Sequence, residues 1–229
     1  MNSETRNKLI EWAETYNDPL YFEEDPIAFP REFLNRGASL QDIEIAAVFA
    51  AHFAWGNRAM IVRDCQRLFD EMEWKPFEYV NSGCWRDDDT SIHRTIKWSD
   101  VARICANLKE WYCWHNSLQT LSPAEMRCSI FDSKEDPKAP NKKINLMRRW
   151  MVRDDGKVDL GLWKKVKKTD LIIPLDVHVY DQAKELKLTK RRSKDLKTAL
   201  EITDAFKEIF PDDPLLGDFA LFGYGVTHA

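Results

Sequence analysis

Apolar residues recur along this chain at intervals of three and four, the spacing that gathers one face of an α-helix. Ser39, with Asp42 three residues on, forms a capping-box-like start. Ile43, Ala46, Ala47, Ala50, Ala51 and Ala54 follow, and such small side chains predict a helix that packs closely on its neighbours. Gly56-Asn57 breaks it, and Met60 to Phe69 predicts the next. Ser99 opens another, with Val101, Ile104, Cys105, Leu108, Trp111 and Tyr112 along one face. The polar, proline-containing stretch from Asp132 to Pro140 is a loop. Lys142 to Arg153 returns to helix, with Ile144, Met147, Trp150 and Met151 inward and Arg148, Arg149 and Arg153 outward. Asp154-Asp155-Gly156 ends it, and Asp159 to Thr169 reads as a short helical excursion. Ile172-Ile173-Pro174 is extended, because the residue before a proline avoids the α region. Asp176 then caps a helix to about Leu186, Ala199 to Phe210 marks another, and Leu215 to Phe222 a last one. Continuous period-2 strands are absent. The pattern predicts a single all-α domain over 1–229, divisible into lobes at 1–25 plus 140–229 and 26–139.

Composition narrows the class. A chain of 229 residues can bury a real core, and its 31% charged residues describe a soluble protein. Mean hydropathy is -0.52, and the longest apolar runs fall well short of a membrane span. Met1 to Thr5 leads into a charged helix with no apolar signal region, so a cytoplasmic protein is expected. The five cysteines (Cys65, Cys84, Cys105, Cys113 and Cys128) are odd in number and contain no C-x-x-C pair, which signals neither a disulfide framework nor a metal site. Magnesium, zinc, haem and nucleotide cofactors have no motif here, so no cofactor and no metal are expected. Nothing demands more than a monomer.

Charge is uneven beneath a net of -4. Lys138 to Lys168 carries eleven Lys/Arg against Asp154, Asp155 and Asp159, a local +8. Lys184 to Lys197 carries seven against Glu185 and Asp195, a local +5. A single Lys-rich run is ordinarily a solvated surface. Two such runs flanking one segment suit a face offered to phosphates.

Between those runs lies Pro174-Leu175-Asp176-Val177-His178-Val179, with a carboxylate at a helix entrance. Upstream, Asn141-Lys142-Lys143-Ile144-Asn145 places two amines at the start of another helix. A lysine and an aspartate held together are the minimum equipment for Schiff-base chemistry on a sugar. Taken alone, Asp176 is a plain N-cap and Lys142 a solvated lysine that the helix macrodipole disfavours.

On these residues the sequence resembles the helix-hairpin-helix DNA glycosylase superfamily. Pro-Leu-Asp176-Val-His-Val looks like the segment that ends at that superfamily's catalytic aspartate. Lys142-Lys143-Ile144-Asn145-Leu146-Met147 looks like its Lys-Thr-Ala-Asn-Val-Val stretch, and matching the asparagines puts Lys142 at the nucleophile's position, with Lys143 the second choice. The chain also resembles a bacterial family of unassigned function in Arg149-Trp150-Met151-Val152-Arg153 and Asp159-Leu160-Gly161-Leu162-Trp163. The superfamily resemblance implies two helical lobes around a cleft, damaged duplex DNA as partner, and base excision coupled to AP-lyase strand cleavage.

Two departures stand out. The superfamily has a glycine-rich hairpin before the lysine, whose amides hold a DNA phosphate. Here no glycine occurs between Gly83 and Gly156, so the hairpin is divergent. The 34 residues from Lys142 to Asp176 look like the archaeal 8-oxoguanine glycosylases, which makes an oxidised purine the lesion to expect. The cysteine-bound cluster of endonuclease III is missing.

Trp55, Asn57 and Arg58, at a helix-to-helix turn, are candidates for contacting the lesion or the gap left by a flipped base. Arg148 and Arg149 are candidates for phosphate contact, and His178 for a structural hydrogen bond or a phosphate. Two other readings fit the same residues. One is a non-catalytic nucleic-acid-binding relative of the same fold, and the other a helical protein-interaction module.

Overall fold

In the computed structural model, residues 1–227 are described, with side chains through Gly225. The helices in chain order are α1 (Ser3–Tyr16), α2 (Ala28–Asn35), α3 (Leu40–Phe53), α4 (Arg58–Glu71), α5 (Pro76–Ser82) and α6 (Trp98–Tyr112). They continue as α7 (Pro123–Ser129), α8 (Lys142–Val152), α9 (Val177–Glu185), α10 (Leu196–Lys207) and α11 (Leu216–Thr227). A two-stranded antiparallel hairpin, β1 (Ser91–His93) with β2 (Ile96–Lys97), is the one sheet among the described residues. The protein is therefore mostly helical. Strands of three and two residues are too short to leave a period-2 signature, which is why the pattern did not announce them.

The chain forms two compact units, residues 1–23 plus 136–229 and residues 24–135. The second unit is built on α3. Its Ser39/Asp42 capping box forms as expected, and Ile43 to Ala51 and Phe53 are all buried. The alanines let α2, α4 and α5 approach. Glu44 is fully buried there, and its carboxylate accepts hydrogen bonds from Tyr112 Oη (2.8 Å), Ser117 Oγ (2.5 Å) and the Leu118 amide (3.0 Å). Trp98, Trp150 and Trp163 are almost completely buried, Trp111 on α6 is only half-buried, and Trp114, just past α6, is 84% exposed.

The first unit brings α1 and α9 against α11. Close approach depends on glycine: a Cβ at Gly223 would sit 2.3 Å from the Tyr16 ring. Trp12 and Tyr224 stack at 3.8 Å along the same contact. The expected helical excursion over Asp159 to Thr169 does not form. Residues 153–167 are irregular, and only a 3₁₀ turn at Lys168–Asp170 follows. The segment instead folds back on the end of α8, where the Leu160 and Trp163 amides donate to the Trp150 and Met151 carbonyls at 2.7 Å each. These bonds satisfy carbonyls that a helix end leaves open. Gly161, at φ +63°, lies where a Cβ would strike Asp154.

Candidate functional site

Asp176 is placed by the chain on both sides of it. Leu171, Ile173, Pro174 and Leu175 are buried, and the Ile173 amide donates to Thr203 Oγ1 at 3.0 Å. Pro174 holds the entry extended, and Asp176 follows in extended conformation as the N-cap of α9. Its two carboxylate oxygens have separate duties. Oδ1 accepts from the Val179 amide at 2.8 Å, and Oδ2 faces Lys142 Nζ at 3.9 Å. The positive end of the α9 dipole favours a carboxylate there.

Lys142 begins α8 after an unusual entry. Asn141 takes the left-handed conformation at φ +46°, and Asn145 Nδ2 donates back to the Pro140 carbonyl at 2.9 Å. The turn before it is closed by the Lys138 amide on Asp136 Oδ1 (2.9 Å) and the Ala139 amide on the Asp136 carbonyl (3.1 Å). The Lys142 side chain is 30% exposed and that of Asp176 12%. Both are thus within reach of a solute, unlike the pairs deeper along α8. Burial, aided by the charge of Lys142, lowers the amine of neighbouring Lys143 to about 8.

The arginines of α8 reverse the expected orientation. Arg148, Arg149 and Arg153, expected outward, are 8%, 3% and 0% exposed. Arg149 donates to Asp218 Oδ2 at 2.6 Å and to Asp159 Oδ1 at 3.3 Å. Arg153 holds Asp159 (2.5 Å), Asp213 (2.9 Å) and Asp155 (2.9 Å). Phe219 lies against both guanidinium groups. At 100° per residue, positions 142, 149 and 153 fall on one stripe, so the three cations face carboxylates along a single edge of the helix. The partners come from as far as 69 residues away, so periodicity alone counted these arginines as surface. Arg149 is committed to internal carboxylates and is withdrawn from the phosphate-contacting set. Arg148 is likewise buried, its guanidinium lowered by burial against the opposing charge of Asp170.

The carboxylates outnumber the arginines in this cluster, and their ionisation shows it. Burial, opposed by Arg149 and reinforced by the charges of Asp176 and Asp159, lifts Asp218 to about 6. Burial likewise raises Asp159 despite Arg149 and Arg153. Asp155 is held low, because Arg153 and Asn17 Nδ2 outweigh its partial burial.

His178 lies exposed on the first turn of α9, its ring edge-on to Phe222 at 6.4 Å. Val177, beside it, is an exposed aliphatic at 54%.

Trp55, Asn57 and Arg58 belong to the other unit, where each has a local role. Asn57 Oδ1 caps α4 by accepting from the Met60 amide at 3.2 Å. Arg58 lies 3.8 Å from Asp25. Trp55 is half-buried, with the Arg94 guanidinium 4.3 Å over its ring and His93 edge-on. His93, fully buried, joins Asp64 at 2.8 Å through Nδ1 and the Trp55 carbonyl at 3.1 Å through Nε2. The sequence reading missed this Asp64–His93–Trp55 chain, since 29 and 38 residues separate His93 from its partners.

Fold and site together describe a two-unit helical protein with a lysine–aspartate pair at the heads of two helices. The chain matches the family described as Protein of unknown function (DUF2400) over residues 25–134 and 122–227, and it belongs to that family. No curated protein and no solved structure matches it. Among the described residues, no helix is long and apolar enough to cross a membrane, and no three His, Cys, Asp or Glu side chains are grouped to hold a metal ion.

Proposed function

We propose that this protein is a DNA glycosylase/AP lyase with a helix-hairpin-helix glycosylase-like fold, excising a damaged base, an oxidised purine for preference, from duplex DNA. The observation that carries the reading is the approach of Lys142 Nζ to within 3.9 Å of Asp176 Oδ2. Thirty-four residues separate the two in sequence, and both occupy positions where the chain resembles the glycosylase superfamily's catalytic residues.

The chemistry follows from the pair. A base within a duplex is out of reach and must be extruded, at a cost of a few kcal/mol. The Lys142 nitrogen attacks C1′ of the sugar as the glycosidic C–N bond breaks, and the base departs with a proton. Opening of the sugar ring leaves C1′ and the lysine nitrogen joined as a Schiff base. Loss of a C2′ proton then expels the 3′ phosphate by β-elimination. Asp176 stabilises the positive charge that develops on the sugar and accepts the proton shed by the amine. Lys143 is the alternative nucleophile, since an amine lowered to about 8 is partly neutral near physiological pH.

Borohydride trapping on duplexes carrying 8-oxoguanine, uracil or an abasic site tests the reading, with Lys142→Ala, Lys143→Ala and Asp176→Asn alongside. A covalent adduct lost in one lysine variant establishes the Schiff base and names the nucleophile. No adduct on any duplex sinks the lyase mechanism, and a base-release assay then separates a monofunctional glycosylase from a binding-only relative.

A further inference from the structure

Residues 187–197 join α9 to the first turn of α10 and carry a run of exposed charge. Lys187, Lys190, Arg192, Lys194 and Lys197 are all exposed. Runs of like charge are ordinarily mobile, because repulsion favours expanded chains. This one is fastened from within. Arg191 turns inward, donating to Thr198 Oγ1 at 2.9 Å and Asp195 Oδ2 at 2.8 Å. Tyr180 Oη donates to the Arg191 carbonyl at 3.0 Å, and Thr198 Oγ1 to the Ser193 carbonyl at 2.6 Å. Asp195 is the one acid within 187–197, and Ser193, Thr198 and Arg191 engage its carboxylate and hold it well below the usual carboxylate range. The loop therefore displays five cations on a fixed backbone with their local countercharge consumed inside.

Its position gives that charge a use. The Leu196 amide donates to the Lys138 carbonyl at 2.8 Å, docking the loop on the turn that enters α8. Lys138 is itself exposed and stands four residues before Lys142. Four residues span at most about 14 Å of chain. At 3.4 Å of axial rise per nucleotide in a strand, that reach covers about four phosphates.

We propose that the 187–197 loop, with Lys138, grips duplex-DNA phosphates flanking the reacting nucleotide, through side chains where the glycine-free turn before Lys142 offers no amide cradle. The inference rests on the DNA-directed reading of the Lys142–Asp176 pair. Its test uses binding to undamaged duplex, which needs no chemistry at that pair.

Binding of the full chain to a fluorescein-labelled undamaged duplex is measured by anisotropy between about 50 and 200 mM KCl, for wild type and for Lys190→Gln/Arg192→Gln/Lys194→Gln/Lys197→Gln. A second quadruple variant, Arg6→Gln/Lys8→Gln/Lys75→Gln/Lys207→Gln, removes the same charge from exposed positions outside both basic runs. Each phosphate contact contributes about 0.9 to the slope of log K against log salt. The loop variant should lower that slope by about 3 to 4, and the matched variant by less than about 1. Equal losses in both variants, an unchanged slope in the loop variant, or no duplex binding by wild type each overturn the proposal. So does preferential loop-dependent binding to phosphatidylserine vesicles or to RNA, which would give the loop another partner. Trapping on an abasic duplex at low salt and saturating protein keeps the two readings apart. An adduct that survives while the slope prediction fails leaves the lyase reading standing without the loop.

Discussion

The two ends of α8 hold cations against carboxylates in opposite ways. At the N-terminal end, Lys142 meets Asp176 at 3.9 Å, and both side chains remain partly exposed. At the C-terminal end, Arg149 and Arg153 make contacts of 2.5 to 2.9 Å with Asp218, Asp159 and Asp213 in near-complete burial. A loose, partly exposed pair at 3.9 Å costs little to open and contributes little to stability. A buried guanidinium that loses its place strands carboxylates in the interior, which is severe. One helix thus combines a pair that can be spent on chemistry with a network that cannot be moved. The difference in partner type fits: arginine keeps its charge under all conditions, while a lysine amine can be neutralised and become a nucleophile.

The contrast is broken most sharply by exchanging the consequences of the two ends. Lys142→Ala should abolish borohydride-trapped adduct, by roughly 1,000-fold or more, and leave the thermal midpoint within a few degrees of wild type. Arg153→Ala should do the reverse in kind, destabilising by about 3–5 kcal/mol and lowering the midpoint by roughly 6–20 °C. A calorimetric scan of both proteins checks this, and an Arg153 variant as stable as wild type would refute the structural assignment of the cluster.

A smaller effect separates the two duties of Asp176. Asparagine caps a helix about as well as aspartate, so Asp176→Asn should keep stability within about 1 kcal/mol while slowing adduct formation about 100-fold. Asp176→Ala should add the lost cap, on the order of 1 kcal/mol. If the two variants melt together and react alike, the oxygen on Val179 and the oxygen facing Lys142 are not acting separately.

Lys143 gives the smallest and most pH-specific signal. Its folded-state amine is lowered by burial to about 8, whereas the unfolded amine stays near the ordinary lysine value of 10.5. Between those values the unfolded chain binds more protons, so stability from this group falls as pH drops from about 10.5 to about 8 and is flat below that. Lys143→Met should therefore be more stable than wild type at pH 7, on the order of 1 kcal/mol, with the advantage gone by about pH 10.5. Paired melts of both proteins across that range check the sign.

Legibility in the sequence followed the range of the interactions. The α3 capping box, the extended entry into Asp176 and the cap of α9 depend on residues within a few positions of one another, and all were readable. The phosphate-facing assignment of Arg149 and the helical assignment of 159–169 failed together and for one reason. Asp159 is drawn inward by Arg149 and Arg153, and that demand pulls its segment off a helical path and over the end of α8. The spacing of positions 142, 149 and 153 already placed them on one stripe. Nothing local revealed that Asp213 and Asp218 would arrive to meet it.

By itself, then, the sequence determined a helical protein, the bounds of α3, α6, α8 and α9, and the residue types at Lys142 and Asp176, because helix periodicity and capping act over three or four residues; the short helices α2, α5 and α7 left no such signal. The tertiary structure decided which cations are buried, how close Lys142 comes to Asp176, and that the basic 187–197 loop is anchored beside the turn entering α8. Those outcomes depend on desolvation and on partners dozens of residues away, and a charged side chain in a sequence carries no mark of which side of the protein surface it will occupy.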